Sequence, residues 1–148
     1  MRLELPDAGG DQVSPLVIAE ARDKIAAVLR VMDPDVILTT WRREPHCDHR
    51  LAFQLAVEGL RSAGSRASLV EYMVWTQLVG SCDDHARDGE TRSFLLDVSA
   101  VRHRKLEALQ CHQSQLGHLI DDDPSGFRLT AAQIAALTGP FERYEHSR

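Results

Sequence analysis

Two histidines and an aspartate stand within four residues of one another in the stretch His46-Cys47-Asp48-His49. An imidazole can hold a metal ion or carry a proton near neutral pH, and a neighbouring carboxylate can orient it. These side chains therefore predict a metal site or an acid–base site. A polar surface loop explains an isolated H-x-x-H spacing at least as well, so the surrounding elements matter.

The stretch lies between a predicted strand and a predicted helix. The strand is the apolar run at residues 36–38, and the helix is expected over about residues 50–62, with Gly64 as its C-terminal cap. In open α/β sheets, ligands bind beyond the carboxyl ends of the strands. The position of the two histidines after a strand therefore favours a functional site.

The elements on either side predict an α/β protein of Rossmann-like, three-layer topology. Ser14 and Pro15 suit the start of an amphipathic helix over residues 16–32. A second strand is expected over residues 68–75, and strand, helix and strand at this spacing indicate a right-handed parallel crossover. We therefore expect a mostly parallel sheet in which residues 36–38 form a central strand.

Another histidine, His112, falls on the apolar side of a helix predicted over residues 100–120. A histidine in that position is more often a hydrogen-bonded core residue than a ligand. We expect either His112 or Gln115 to approach the same pocket as His46 and His49. A further strand over residues 94–98, a short helix capped by Thr130 and a terminal extended segment complete the predicted elements.

The composition is that of a single domain, residues 1–148, with no sign of a nucleic-acid or membrane partner. The formal net charge is −5, the sequence contains no basic run, and no apolar stretch approaches the roughly 20 residues of a membrane span. The N-terminus lacks the apolar core of a signal peptide. Three cysteines without a C-x-x-C pair predict neither a disulfide framework nor a zinc ribbon, so we expect a cytoplasmic protein.

In their order along the chain, several segments resemble the PIG-L/LmbE family of metal-dependent N-deacetylases, over nearly the whole sequence. The segments are Leu5-Pro6-Asp7-Ala8-Gly9, Asp33-Pro34-Asp35-Val36-Ile37-Leu38-Thr39, His46-Cys47-Asp48-His49-Arg50, residues 105–115 (similar to a helix with an H-x-S-Q signature), Phe127-Arg128-Leu129 and Phe141-Glu142-Arg143-Tyr144. Each segment is short, and their specificity comes from the ordered set. Family members remove an acetyl group from an N-acetylated amino sugar or a related small molecule, commonly using zinc.

The resemblance implies a role for three residues. His49 matches the second histidine of the family's H-P-D-H motif, a metal ligand. His46 matches the first histidine, which acts as a general acid or stabilises the oxyanion. Asp48 matches the carboxylate that orients and tunes a neighbouring histidine. Cys47 stands where the family usually has proline, which brings a thiol close to the metal without removing a ligand.

The family's first motif, H-P-D-D-E, does not occur in this sequence. That motif supplies two further metal ligands and the general base, and the run Asp83-Asp84-His85 has the wrong order to replace it. We therefore expect the chain to correspond to the C-terminal portion of the family fold. An edge of its sheet would be left uncovered, to be closed by an N-terminal segment or a second subunit.

Two functions from different classes follow. The chain is either part of a zinc-dependent deacetylase that is poor or inactive alone, or a non-catalytic relative that binds a sugar or a partner subunit. A catalytic zinc ion needs about three protein ligands and an open water position, and His49 supplies one. The sequence leaves the acyl substrate, the metal and the oligomeric state open.

Overall fold

The computed structural model describes residues 14–117, 119 and 127–147, and within them the chain is a mixed α/β protein. It has five α-helices and a four-stranded sheet in these residues. The elements are α1 (Pro15–Met32), β1 (Val36–Thr40), α2 (Cys47–Ala63), β2 (Ser68–Tyr72), α3 (Thr76–Val79), β3 (Thr91–Asp97), α4 (Arg102–Gln110), α5 (Ala131–Leu137) and β4 (Phe141–Ser147). None of the described helices combines the length and apolar character needed to cross a membrane. The Leu5–Gly9 segment of the family resemblance lies outside the described residues.

The four strands form one mixed sheet in the order β1-β2-β4-β3. Strands β1 and β2 are parallel, as predicted, with a register that runs from Val36 opposite Ser68 to Thr40 opposite Tyr72. Strand β4 is antiparallel to β2. The expectation of a mostly parallel sheet is therefore met only in part.

Strand β1 lies at an edge of this sheet, and the prediction that it is central was wrong for the described strands. Two of its large apolar side chains are more than half exposed, at 52% for Val36 and 58% for Leu38. Apolar composition alone could not distinguish an edge strand from a central one. The edge also lacks the charged residues and proline that commonly discourage pairing with another strand.

The composition of the strands is compatible with their mixed directions. The apolar sequences Val-Ile-Leu-Thr-Thr of β1 and Ser-Leu-Val-Glu-Tyr of β2 suit parallel pairing. Strand β4 reads Phe-Glu-Arg-Tyr-Glu-His-Ser, with polar residues on both faces. Such a strand is better suited to an antiparallel position, where one face can keep polar partners.

Helices α1 and α2 begin and end close to where local signals predicted. The Ser14 hydroxyl accepts a hydrogen bond from the Val17 amide, and Gly64 ends α2 in the left-handed conformation with φ of 65°. Helix α2 starts at Cys47, three residues before the expected start, because the His46 side chain caps it. The two helices pack closely enough at Gly59 that a Cβ there would lie 2.5 Å from Ile25 Cγ2.

The chain divides into two compact units, one formed by Met1–Phe94 with Arg143–Arg148 and the other by Leu95–Glu142. The second unit corrects one prediction. Helix α4 ends at Gln110, well short of residue 120, and His112 is exposed in the turns that follow it. Helix α4 buries none of its residues, so packing gives little support to a longer helix. The predicted cap at Thr130 is confirmed by a capping box with Gln133.

Candidate functional site

The loop from Trp41 to His46 joins β1 to α2 at the carboxyl end of the parallel strand pair. The Trp41 amide donates to the carbonyl oxygen of Tyr72 at 2.8 Å, which extends the β1–β2 pairing by one residue. The Thr40 hydroxyl donates to the carbonyl oxygen of His49 at 2.7 Å. The first turn of α2 is therefore attached directly to the end of β1, and the two histidines lie at this edge of the sheet.

Three consecutive side chains anchor the loop to the rest of the first unit. Trp41 is completely buried, and its indole N–H donates to the carbonyl oxygen of Asp84 at 2.5 Å. Arg42 forms a bidentate ion pair with Glu71, a fully buried residue of β2. Arg43 forms a second bidentate pair with Glu90, with both oxygens at 2.7 Å. The loop is thus fixed on both sides before it reaches the histidines.

These ion pairs shift the protonation equilibria of their members. Hydrogen bonding to Glu71 raises the pKa of Arg42, and hydrogen bonding to Glu90 raises that of Arg43. The hydrogen bond from Arg43, helped by the Arg87 amide, lowers the pKa of Glu90 from 4.5 to about 2. The pair of Arg43 with Glu90 is therefore charged at neutral pH, and the loop is held by the contacts of both arginines as well as by the burial of Trp41.

The fourth anchor is Glu44, whose side chain is fully buried. Oε1 accepts from the amide of Val74 at 2.8 Å, the amide of Thr76 at 3.2 Å and the Thr76 hydroxyl at 2.8 Å. Oε2 accepts from the amide of Trp75 at 2.8 Å and lies 3.1 Å from His49 Nδ1. Successive backbone amides that converge in this way form an anion-binding concavity. This residue was not predicted as part of the site.

His49 uses one ring nitrogen for Glu44 and keeps the other available. With Glu44 Oε2 as the acceptor, Nδ1 carries the hydrogen, and Nε2 of the neutral ring has the lone pair. The imidazole is about one quarter exposed. A carboxylate behind a histidine is the arrangement that orients metal-binding imidazoles and increases their basicity. His49 is therefore prepared to act as a ligand or as a base through Nε2.

The hydrogen bond of His46 selects the opposite tautomer to that of His49. His46 is the N-cap of α2, and its Nδ1 accepts a hydrogen bond from the Asp48 amide at 3.2 Å. The neutral ring must then carry its hydrogen on Nε2. The rings of His46 and His49 lie side by side, with centroids 5.1 Å apart. The pair therefore offers one Nε2 donor and one Nε2 acceptor.

The side chains of Cys47 and Asp48 lie beside His46. Asp48 is half exposed, and its Oδ2 is 3.9 Å from His46 Nδ1, which is beyond hydrogen-bond distance. Its Oδ1 lies 3.6 Å from the thiol of the buried Cys47. Ligand atoms of the three residues lie within 4.8 Å of one another, so this group could hold a metal ion. In the described residues, the carboxylate hydrogen-bonded to His49 is that of Glu44, and Asp48 has no such contact with it.

The other residues considered for the site belong to other elements of the described chain. His112 and Gln115 belong to the second unit, where they lie in the turns after α4. Asp83 and Asp84 belong to a short 3-10 turn, and the Asp84 carboxylate caps that turn by accepting from the Ser81 amide at 2.7 Å. The run Asp83-Asp84-His85 therefore has a structural role in the described fold.

No protein-family model and no curated protein matches the sequence. The fold is that of a mixed α/β protein. A paired histidine site stands at the carboxyl end of its parallel strands.

Proposed function

We propose that the chain is a PIG-L/LmbE-like domain of Rossmann-like, three-layer fold and that its histidine loop belongs to a metal-dependent hydrolase site. The reaction would remove an acetyl group from an N-acetylated amino sugar or a related small molecule. The observation that carries this proposal is the pair of adjacent imidazoles, His46 and His49, with Nε2 atoms of opposite character. Hydrolysis of an amide uses one group that binds the metal or accepts a proton. It also uses a second group that donates a hydrogen bond to the developing oxyanion.

The chemical roles follow from the hydrogen bonds of each ring. His49 would bind zinc through Nε2 because its Nδ1 donates to Glu44. Zinc in such a site supplies Lewis acidity and a bound water of lowered pKa. His46 would donate its Nε2–H to the oxygen on which negative charge develops, because its Nδ1 is occupied by the Asp48 amide. Asp48 would add negative charge at the mouth of the site.

The donor set fits zinc in part. A catalytic zinc ion takes about three protein ligands, and His49 supplies one nitrogen. In the part of the chain that the structure describes, one group of three or more side chains could hold a metal, and it is formed by His46, Cys47 and Asp48. Use of His46 Nδ1 in that group would break its bond to the Asp48 amide. We therefore propose that residues 1–148 bind zinc weakly and hydrolyse N-acetyl groups poorly by themselves.

The test combines zinc titration with an assay of acetate release from N-acetylglucosamine derivatives. The wild-type chain is compared with His49→Ala and with the control His103→Ala, which changes an exposed histidine of α4. We expect weak zinc binding that His49→Ala reduces and His103→Ala leaves unchanged, with turnover near background. Zinc binding that is insensitive to His49→Ala would contradict the proposed ligand. Turnover abolished by His49→Ala would show that other residues complete the site.

A second function is favoured by the exposed edge of the sheet. Val36 and Leu38 of β1 are exposed, and in α1 Val31 and Met32 are exposed at 86% and 70%. Apolar surface of this kind is typical of sites that contact another protein. A non-catalytic relative that binds a sugar or a partner subunit would release no acetate. It would also bind its sugar equally well after His49→Ala.

A further inference from the structure

We infer that Glu44 is the positioning residue of the histidine site and that it sets the tautomer of His49. The inference concerns which nitrogen of His49 carries the hydrogen. It rests on the proposed function only in assigning Nε2 of His49 to a metal ion. Nothing in the H-x-D-H stretch itself supplies this control, because the nearer carboxylate, Asp48, does not contact His49.

The donors around Glu44 leave the direction of its hydrogen bond with His49 fixed. Oε1 has three donors and Oε2 has two, and three of the five are backbone amides. A backbone N–H can only donate, so each carboxylate oxygen already acts as an acceptor before His49 is considered. The Thr76 hydroxyl and the imidazole are the two partners that can either donate or accept. A carboxylate has no hydrogen to donate, so His49 donates from Nδ1 to Oε2, which also accepts from the Trp75 amide.

The position of Glu44 is itself held from several directions. Arg50 donates to the carbonyl oxygens of Glu44 and Pro45, at 2.9 and 2.7 Å. The carboxylate joins the loop after β1 to the turn after β2, which contains Val74, Trp75 and Thr76. Because both the backbone and the two carboxylate oxygens of Glu44 are held, the carboxylate cannot move to suit another tautomer of the His49 ring. The ring therefore adapts to the carboxylate.

A purely structural role is the competing explanation, since Glu44 also accepts from the amides of Val74, Trp75 and Thr76, which lead into α3. The substitution Glu44→Gln separates the two roles, because it keeps the size of the side chain and replaces one oxygen by an NH2 group. If the amide oxygen takes the place of Oε1, one backbone amide, that of Trp75, faces the NH2 group. The reverse orientation places the amides of both Val74 and Thr76 against it.

The first orientation is favoured because it leaves one unpaired amide instead of two. The NH2 group then stands at the position of Oε2 and donates to His49 Nδ1. The neutral imidazole must respond by moving its hydrogen to Nε2. Glu44→Gln thus predicts the opposite tautomer of His49, and a residue that acted only as a helix cap would not produce that change.

The experiment is long-range ¹H–¹⁵N correlation spectroscopy of the histidine rings in the full chain. It is run at about pH 8.5, well above the ordinary imidazole pKa of about 6.5. Seven histidines are present, and His49 is assigned from the spectrum of His49→Gln. The matched control is Glu145→Gln, which changes another buried glutamate of the same unit that accepts from Thr91, Ser93 and Arg143.

We expect Nε2 of His49 to have the chemical shift of an unprotonated nitrogen in the wild type and of a protonated nitrogen in Glu44→Gln. Glu145→Gln should leave it unchanged. A zinc titration should show affinity reduced 10- to 100-fold in Glu44→Gln, the usual effect of losing a carboxylate behind a ligand histidine. An unprotonated Nε2 in a folded Glu44→Gln protein would overturn the inference, and so would the Nε2–H tautomer in the wild type.

The wild-type spectrum keeps the inference testable if Glu44→Gln does not fold. The Nδ1 proton of His49 should then show a nuclear Overhauser effect to the Trp75 amide, and its absence would count against the proposed contact. Failure of the hydrolase proposal is a separate result. If the tautomer changes as expected but the chain binds no zinc, Glu44 is still the positioning residue of His49, and the proposed zinc site is wrong.

Discussion

Gly59→Ala should destabilise the protein although alanine is the better helix former. The new Cβ would lie 2.5 Å from Ile25 Cγ2 and 3.2 Å from Ile25 Cβ, where α2 crosses α1. The helix gains about 1 kcal/mol when alanine replaces glycine, whereas overpacking a core costs about 1–3 kcal/mol. The clashing methyl belongs to a β-branched side chain with one preferred helical rotamer, so it cannot swing aside. We therefore take the upper part of that range and expect a net loss of about 1–2 kcal/mol.

The measurement is urea denaturation followed by circular dichroism, with Ala52→Gly as the matched control. Ala52 is an exposed residue of α2, so this substitution should report helix propensity alone and cost about 1 kcal/mol. In an Ile25→Ala background the 2.5 Å contact with Cγ2 is removed and the 3.2 Å contact with Cβ remains, so most of the cost of Gly59→Ala should disappear. A Gly59→Ala protein that is as stable as the wild type would refute close packing at this crossing.

Three further predictions follow from single contacts. Because the pKa of Glu90 is lowered to about 2, its pair with Arg43 stabilises the fold above about pH 4.5 and loses that effect as the pH falls toward 2. Arg43→Gln should therefore cost about 1 kcal/mol more at pH 7 than near pH 2, where the loss of the hydrogen bond from Arg43 to the His85 carbonyl oxygen remains. A cost independent of pH would contradict this. If Cys47 ligates a metal beside His46, adding Co²⁺ should produce a thiolate-to-cobalt absorption band. Cys47→Ser should abolish that band, and Cys82→Ser should preserve it. A band that persists in Cys47→Ser would exclude Cys47 as a ligand. Thr130→Ala should cost about 1 kcal/mol in thermal unfolding, because it removes a capping box; an unchanged melting temperature would argue against that cap.

Local signals predicted the first half of the fold well. The start of α1 follows from Ser14 and Pro15, and the end of α2 follows from Gly64, because caps depend on residues next to the element itself. The parallel pairing of β1 and β2 follows from one helix between two apolar runs. Each of these features involves a contact between neighbours in sequence or a single short crossover.

The second half was predicted less well because its signals conflict. The apolar spacing that suggested a helix over residues 100–120 continues past Gln110, but α4 ends there and buries none of its residues, so packing does not support a longer helix. The direction of β4 could not be read from a segment of seven residues without its neighbours. Once β4 is known to lie beside β2, its polar residues on both faces are compatible with the antiparallel pairing.

The one site residue that was missed could have been found from the register of the parallel strands. Asp48 was the expected partner of a histidine because it stands between the two in sequence, but its amide donates to His46 Nδ1 and its carboxylate lies 3.9 Å from that nitrogen. Glu44 stands four residues after Thr40, and Thr76 stands four residues after Tyr72. Because Thr40 and Tyr72 are opposite each other, the two chains leave the sheet side by side. A carboxylate at that distance beyond β1 therefore meets the amides beyond β2, and His49, in the first turn of α2, also contacts it.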